Sequence, residues 1–318
     1  MTISAKIIAT GSYLPDKILT NDELATMVDT SNDWILERTG IEKRHIAASN
    51  QLTSDLASLA CLDLLKNHNI NAQQIEAIIV ATTTPDLTFP ATATTVQAKI
   101  GAKNAFAFDV AAVCSGFVYA LTLANSLIIS RQVKNVLVIG AETMSRIINW
   151  QDRNTCVLFG DGAGCALLQA SQDSGILAST LYSDGNLNCL LQTSGGTSLN
   201  GISGHIQMQG KEVFKHAVDK MADSVIKTLA SINLQSSDID LLVPHQANLR
   251  ILQSVSHKLK IDANKVIVTV NAHANTSAAS IPLALDYANK QNRLKKGDLV
   301  VLEALGGGLT WGSIALRW

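Results

Sequence analysis

A pattern that occurs twice does most to limit the folds open to this chain. Apolar, strand-like runs alternate with helix-like runs. Residues 54–68, 211–232 and 277–290, and the stretch after Cys114, read as helices, while 75–83, 135–142, 239–245 and 298–305 read as strands. Apolar strands separated by helices build sheets covered on both faces. "QIEAIIV" starts at Gln74 and "DIDLLVP" at Asp238, an offset of 164 residues; "NVLVIGAE" starts at Asn135 and "DLVVLEAL" at Asp298, an offset of 163. The two pairs agree within one residue, and they lay the stretch after Cys114 over the one after Ser277. Similarity at half the chain length implies a duplicated α/β unit. The halves are expected to meet in the polar "QASQDSG" (169–175), giving residues 1–172 and 173–318.

Of the 318 residues, 47% are hydrophobic and only 16% charged, so much apolar surface must be hidden in thick layers or in a subunit interface. A net charge of −1 argues against a general nucleic-acid binder, which needs excess basic charge. The five cysteines are odd in number and irregularly spaced, with no C-x-x-C pair, so neither zinc nor disulfides are expected. Cys61, Cys156 and Cys165 read as core in a reduced, cytoplasmic protein. The first residues lack the pattern of a signal peptide. Val110 to Ser130 carries no charge but contains Ser115, Gly116, Tyr119, Thr122, Asn125 and Ser126, and is expected to be a helix enclosed by protein rather than inserted in a membrane.

Cys114 stands inside "FDVAAVCSGFVYALTLANSLIIS" (108–130), where a strand-like run gives way through small residues to a helix. A thiol at a helix start feels the positive end of the helix dipole, which favours the reactive thiolate. "PHQANLR" (244–250) and "NTSAASIP" (275–282) add a histidine and an asparagine at two further junctions. The duplication sets Cys114 and Asn275 before corresponding helices. A cysteine, a histidine and an asparagine so placed make a nucleophile beside a polar site. Each residue has a plainer reading: a lone cysteine is usually a small hydrophobe, and Asn275 could be a helix N-cap. His273 reads as structural. "FGDGAG" (159–164) leads into apolar "CALLQ" and reads as a turn beside a strand rather than a phosphate loop.

Seven segments carry a resemblance: "SNDWILERTGIEKRHIA" (31–47), "DVAAVCSGF" (109–117), "NWQDRNTCVLFGDGAG" (149–164), "GKEVFKHAV" (210–218), "PHQANLRI" (244–251), "NTSAAS" (275–280) and "GGGLTWG" (306–312). Together they resemble the β-ketoacyl-acyl-carrier-protein synthase III family of the thiolase-like superfamily. The resemblance implies a five-layered αβαβα fold, a homodimer, and the initiating condensation of fatty-acid synthesis. An acetyl-CoA primer and malonyl-acyl-carrier protein would give 3-oxoacyl-carrier protein, CoA and CO₂, with no metal and no redox cofactor.

The resemblance also implies roles. Cys114, His245 and Asn275 are catalytic, and the backbone amides of Cys114 and Gly307 hold the acyl oxyanion. Trp34, Arg38, Arg153, Phe214, Ala247 and Asn248 take CoA. Gln246, Ala247, Asn248, Leu249, Arg250, Lys215 and Lys258 meet the acidic carrier protein. Phe89 reaches across the dimer and closes the acyl pocket against long primers. Three positions depart from the family pattern: Asn154 and Ala274 stand where relatives tend to carry glycine, and His257 where they tend to carry lysine. An alanine in left-handed backbone costs on the order of 1 kcal/mol. Another condensing enzyme of the superfamily using a CoA-bound extender, or a non-catalytic binder of acyl-CoA or carrier protein, remains as an alternative.

Overall fold

The computed structural model describes residues 3–318. Its first sheet runs in the spatial order β1 (Ser4–Tyr13), β7 (Asp161–Ser171), β6 (Asn135–Thr143), β4 (Ala77–Ala81), β5 (Phe106–Val110). The second runs β11 (Leu241–Pro244), β12 (Leu299–Gly306), β13 (Thr310–Arg317), β8 (Ile176–Ser183). Two antiparallel pairs complete the strands: β2 (Lys17–Thr20) with β3 (Lys43–Ile46), and β9 (Leu191–Thr193) with β10 (Ile206–Met208). The chain passes between the large sheets at residues 172–175, inside the polar turn-rich segment.

The helices are α1 (Asn21–Ala25), α2 (Asn32–Thr39), α3 (Thr53–Asn67), α4 (Thr92–Ile100), α5 (Gly116–Ile129), α6 (Arg153–Cys156), α7 (Gly210–Ala230), α8 (Leu249–Leu259), α9 (Val270–His273) and α10 (Ser280–Lys290). Side-chain alternation along the strands sorts them into layers. Ile79, Val136 and Val138 of the first sheet and Val243, Val300 and Leu302 of the second face one core that also takes Phe117 and Leu121 of α5 and Ile281 and Leu285 of α10. The opposite faces, Ile78 and Leu137 in one sheet and Leu242 and Val301 in the other, pack on Leu56 and Val96 of α3 and α4 and on Met221 and Val255 of α7 and α8. The result is five layers, αβαβα, with α5 and α10 in the middle.

The repeat seen in the sequence recurs in the strand register. β4 and β6 pair in parallel with Ala77 opposite Val136; β11 and β12 pair in parallel with Leu241 opposite Val300, each partner 164 residues further on. Close packing of the two halves depends on Gly140 of β6, where a Cβ would collide with the carbonyl of Ala278.

Two expectations are corrected. The last four residues of "FGDGAG" are strand rather than turn, since β7 begins at Asp161. Its glycines let the strand lie against α10, where a Cβ on Gly164 would fall 2.6 Å from the backbone nitrogen of Leu283. The uncharged α5 is not enclosed on all sides: Leu123, Ser126 and Ile129 form an exposed stripe in the single chain.

Ala274, which ends α9, has φ 58° and ψ −164°. Backbone there is nearly glycine's alone. Ala274→Gly is expected to raise unfolding free energy by about 1–2 kcal/mol, measured by urea denaturation. Glu303 of β12 is fully buried, and burial pushes its carboxyl up to about 8. An acid raised in this way adds stability that is complete below its unfolded pKa, near 4.5, and is lost as pH rises through about 8. Denaturation at constant ionic strength should therefore show this contribution fading between those values, and Glu303→Gln, which cannot ionise, should flatten the slope there relative to the unmodified protein.

Candidate active site

The strand and helix ends of both halves converge on a cavity of about 700 Å³. Its wall includes Cys114, His245 and Asn275, which are 4%, 2% and 6% exposed. Trp34, Arg38, Asn154, Lys211, Phe214, Ala247, Asn248 and Arg250 also contribute to the wall, and Arg38, Lys211 and Arg250 are exposed, which marks the mouth.

Cys114 follows β5 in a short 3-10 turn, Val113–Ser115, that leads into α5. Val113 has φ 47°, a left-handed conformation rarely adopted by a β-branched residue, so the turn is sharp and strained. Gly306 lets β12 approach: a Cβ there would fall 2.6 Å from the backbone nitrogen of Cys114. Burial pushes the thiol up to about 12, the nearby Ser277 hydroxyl opposes this, and the Glu142 carboxylate adds to it. The resting group is therefore a thiol. Burial therefore works against the thiolate that the helix start alone would favour.

His245 follows the end of β11, and its backbone N–H donates to the carbonyl of Glu303 at 2.8 Å. Burial pushes the imidazole down to about 3, so it is neutral across the physiological range. Its Nδ1 lies 2.6 Å from Oγ of Ser280. Asn275 is clamped by its backbone, donating to Leu158 O at 2.9 Å and accepting from Gly160 N–H at 3.0 Å. Its Oδ1 accepts the Ser277 N–H at 2.9 Å. This Asx turn is a local structural role but not the helix N-cap read as an alternative, since Thr276 precedes the 3-10 turn Ser277–Ala279 and Ala279 precedes α10; it leaves the amide NH₂ to donate. His273 is not in the cavity wall; it packs edge-on against Tyr287, with ring centroids 6.4 Å apart.

At the mouth, Ser31 caps α2 by accepting the Trp34 N–H at 3.2 Å. The guanidinium carbons of Arg38 and Arg153 each lie 4.9 Å from the Trp34 ring centroid. Arg153 also donates to Asp29 O at 2.8 Å and is not in the cavity wall. Of the residues expected to take CoA, Arg153 thus lies on the Trp34 ring itself. Asn248 caps α8, accepting the Ile251 N–H at 2.9 Å. Arg250 is exposed, its guanidinium 5.8 Å from the Phe214 ring centroid.

The expected carrier-docking residues divide. Lys215 is exposed, and Lys258 is exposed but paired with Asp219. Leu249 is half-buried against the cluster around Ile35. Gln246 is corrected: it is 1% exposed, and its amide is used internally, donating to Pro244 O and Ile267 O and accepting from Thr269 N–H. It braces the loop and offers no surface to a partner. Phe89 is 82% exposed and outside its own chain's cavity. Gly307 is likewise outside the wall, although its neighbour Gly306 touches the Cys114 backbone. The sequence reading missed Lys211, although it is the second residue of the quoted "GKEVFKHAV", and the apolar wall of Phe159, Leu191, Met208 and Met221. A basic residue at a helix start was the one signal available for Lys211.

Family models described as 3-oxoacyl-[acyl-carrier-protein] synthase III and its C-terminal region match residues 108–185 and 229–318. The chain is 56% identical to β-ketoacyl-[acyl-carrier-protein] synthase III of Ehrlichia canis (strain Jake) and 57% identical to that of Wolbachia pipientis wMel, covering 98% of both chains in each comparison. The crystal structure of 3-oxoacyl-[acyl-carrier-protein] synthase III from Aquifex aeolicus VF5 superposes with a TM-score of 0.95 at 46% identity, over 99% of this chain and 100% of that one. With its sequence more than half identical to these relatives over nearly the whole length, and its fold matched by a solved structure at 46% identity, the chain belongs to the β-ketoacyl-[acyl-carrier-protein] synthase III family.

Proposed function

We propose that this protein performs the initiating condensation of fatty-acid synthesis, joining an acetyl group from acetyl-CoA to malonyl-acyl-carrier protein. The observation that carries this reading is the single cavity with a buried thiol, a neutral histidine and an asparagine amide in its wall. In the first step the Cys114 sulfur attacks the thioester carbon. The oxyanion is held by the backbone amides of Cys114 and Gly307, the C–S bond to CoA breaks, and the proton of Cys114 leaves on the CoA sulfur. In the second step malonyl-carrier protein loses CO₂. The enolate oxygen is held by donors on His245 and Asn275, and its carbon attacks the acetyl group. Acetoacetyl-carrier protein leaves, and the Cys114 thiolate takes up a proton. Two neutral donors suit a developing negative charge; a carboxylate in either place would repel it.

The basic mouth supports CoA and carrier recognition. Trp34, Arg38 and Arg153 suit the nucleotide and its phosphates, and Phe214, Ala247 and Asn248 the pantetheine arm. Arg250, with Lys215, suits an acidic carrier protein. The exposed stripe of α5, the open edge of β5 with Phe106, and exposed Phe89 support a homodimer in which Phe89 enters the partner's acyl pocket. Among the described residues no helix is long and apolar enough to cross a membrane, and we read the enzyme as cytoplasmic. We read the turn at 172–175 as the junction of the two halves.

Incubation with acetyl-CoA should acetylate Cys114, detected by peptide mass spectrometry, and malonyl-carrier protein should discharge it as acetoacetyl-carrier protein. Discharge by malonyl-CoA instead would favour a CoA-extender enzyme, and binding without acetylation a non-catalytic role. Phe89→Thr should shift the preferred primer to longer acyl chains, read as the ratio of kcat/KM for octanoyl-CoA to that for acetyl-CoA; an unchanged ratio removes Phe89 from the pocket.

A further inference from the structure

The second step requires His245 to present a donor to the cavity, yet a neutral imidazole has two tautomers and only one ring proton. His245 is in the cavity wall and Ser280 is not, so the Nδ1 edge, 2.6 Å from Ser280 Oγ, faces the protein interior. The backbone N–H of Gln246 is directed at the same oxygen, 3.4 Å away. An amide N–H can only donate. Oγ therefore accepts from Gln246, and the hydroxyl proton is directed to Nδ1; among the described residues the hydroxyl has no other acceptor. With Nδ1 accepting, the ring proton sits on Nε2. Ser280 and His245 are 1% and 2% exposed, so bulk water cannot replace the hydroxyl without opening the site.

We propose that Ser280 is a positioning residue whose hydroxyl holds His245 in the Nε2–H tautomer, so that the imidazole meets the malonyl-derived enolate as a donor. The inference rests on the condensation reading above. It also ties the two enolate donors to one segment. Ser277 N–H occupies the acceptor end of Asn275 and Ser280 occupies the acceptor end of His245, from positions three residues apart. Ser280 touches no reacting atom; it acts through the imidazole.

The tautomer can be read directly in the full-length protein with ¹⁵N-labelled histidine, using long-range ¹H–¹⁵N spectra near neutral pH. The His245 signals are those absent from His245→Asn. The expected result is a protonated Nε2 and a bare, hydrogen-bonded Nδ1. In Ser280→Ala the Nδ1–H tautomer should become populated. Its kcat for condensation should fall about ten- to a hundredfold, while acetyl transfer to Cys114 stays within about twofold. Ser280→Thr keeps a hydroxyl and should restore both tautomer and rate. An Nδ1–H tautomer in the unmodified protein overturns the proposal, as does Ser280→Ala with the original tautomer, whatever its rate. If the alanine variant does not fold, the unmodified spectrum decides alone. A protein with the Nε2–H tautomer that fails to condense malonyl-carrier protein overturns the condensation reading and leaves the role of Ser280 on the imidazole standing.

Discussion

The chemistry at the cavity depends on how the turn formed by residues 275–280 uses its hydrogen-bonding groups. The Ser277 N–H fills the carbonyl end of Asn275, and the Ser280 hydroxyl meets Nδ1 of His245. Each side chain has a donor end and an acceptor end, and pairing the acceptor end inside the protein leaves the donor end to face a ligand. The same turn sits where the halves of the molecule touch, with the carbonyl of Ala278 against Gly140 of β6. The duplicated architecture thus delivers Cys114 from one half and His245 and Asn275 from the other, and a turn in the packed middle layer holds a hydrogen bond to each of the latter two.

Burial then fixes the charges. It pushes the Cys114 thiol up and the His245 imidazole down, and on the neighbouring strand it keeps Glu303 protonated over much of the neutral range. Glu142, also buried, collects hydrogen bonds from Thr82, Thr83 and Thr84. With a neutral thiol, imidazole and amide in its wall, the cavity suits the one charge the proposed condensation creates. In a buried cavity preoriented dipoles act on that charge more strongly than water-exposed ones, and they need no reorganisation when it appears. A histidine cation would hold an enolate well, but it would lose its solvation in so buried a place, and the large downward shift of His245 expresses that cost.

Much of this was legible in the chain. The offset of 164 residues foretold the recurring strand register because parallel strands buried on both faces leave a plain apolar signature. Cys114, His245 and Asn275 stood out because each lies at a junction between elements. What the sequence hid depended on distant parts of the chain. The protonation of Cys114 follows from packing around it, whereas the local pattern shows only a helix start. Gln246 shares a motif with Arg250 four residues on, yet it points inward to brace Pro244, Ile267 and Thr269, and nothing in "PHQANLR" separates the two roles. The open stripe of α5 was hidden for a similar reason: a charge-free helix looks the same whether its own chain covers it or another copy does.

Ala274 shows how the site tolerates a locally unfavourable residue. Its conformation costs about 1–3 kcal/mol for a residue with a Cβ. Around it, Ala274 N–H bonds to Val270 O, Asn275 N–H to Leu158 O, and Gly160 N–H to Asn275 O. At about 1 kcal/mol net for each hydrogen bond, these three are comparable to the strain. They also over-determine the backbone, because moving Ala274 into a relaxed region would rotate the next peptide and break the parallel bridge between Phe159 and Asn275. The strained dihedral is therefore held by the same contacts that aim the Asn275 amide. The stability lost at Ala274 and the orientation of its neighbour are two consequences of one backbone path.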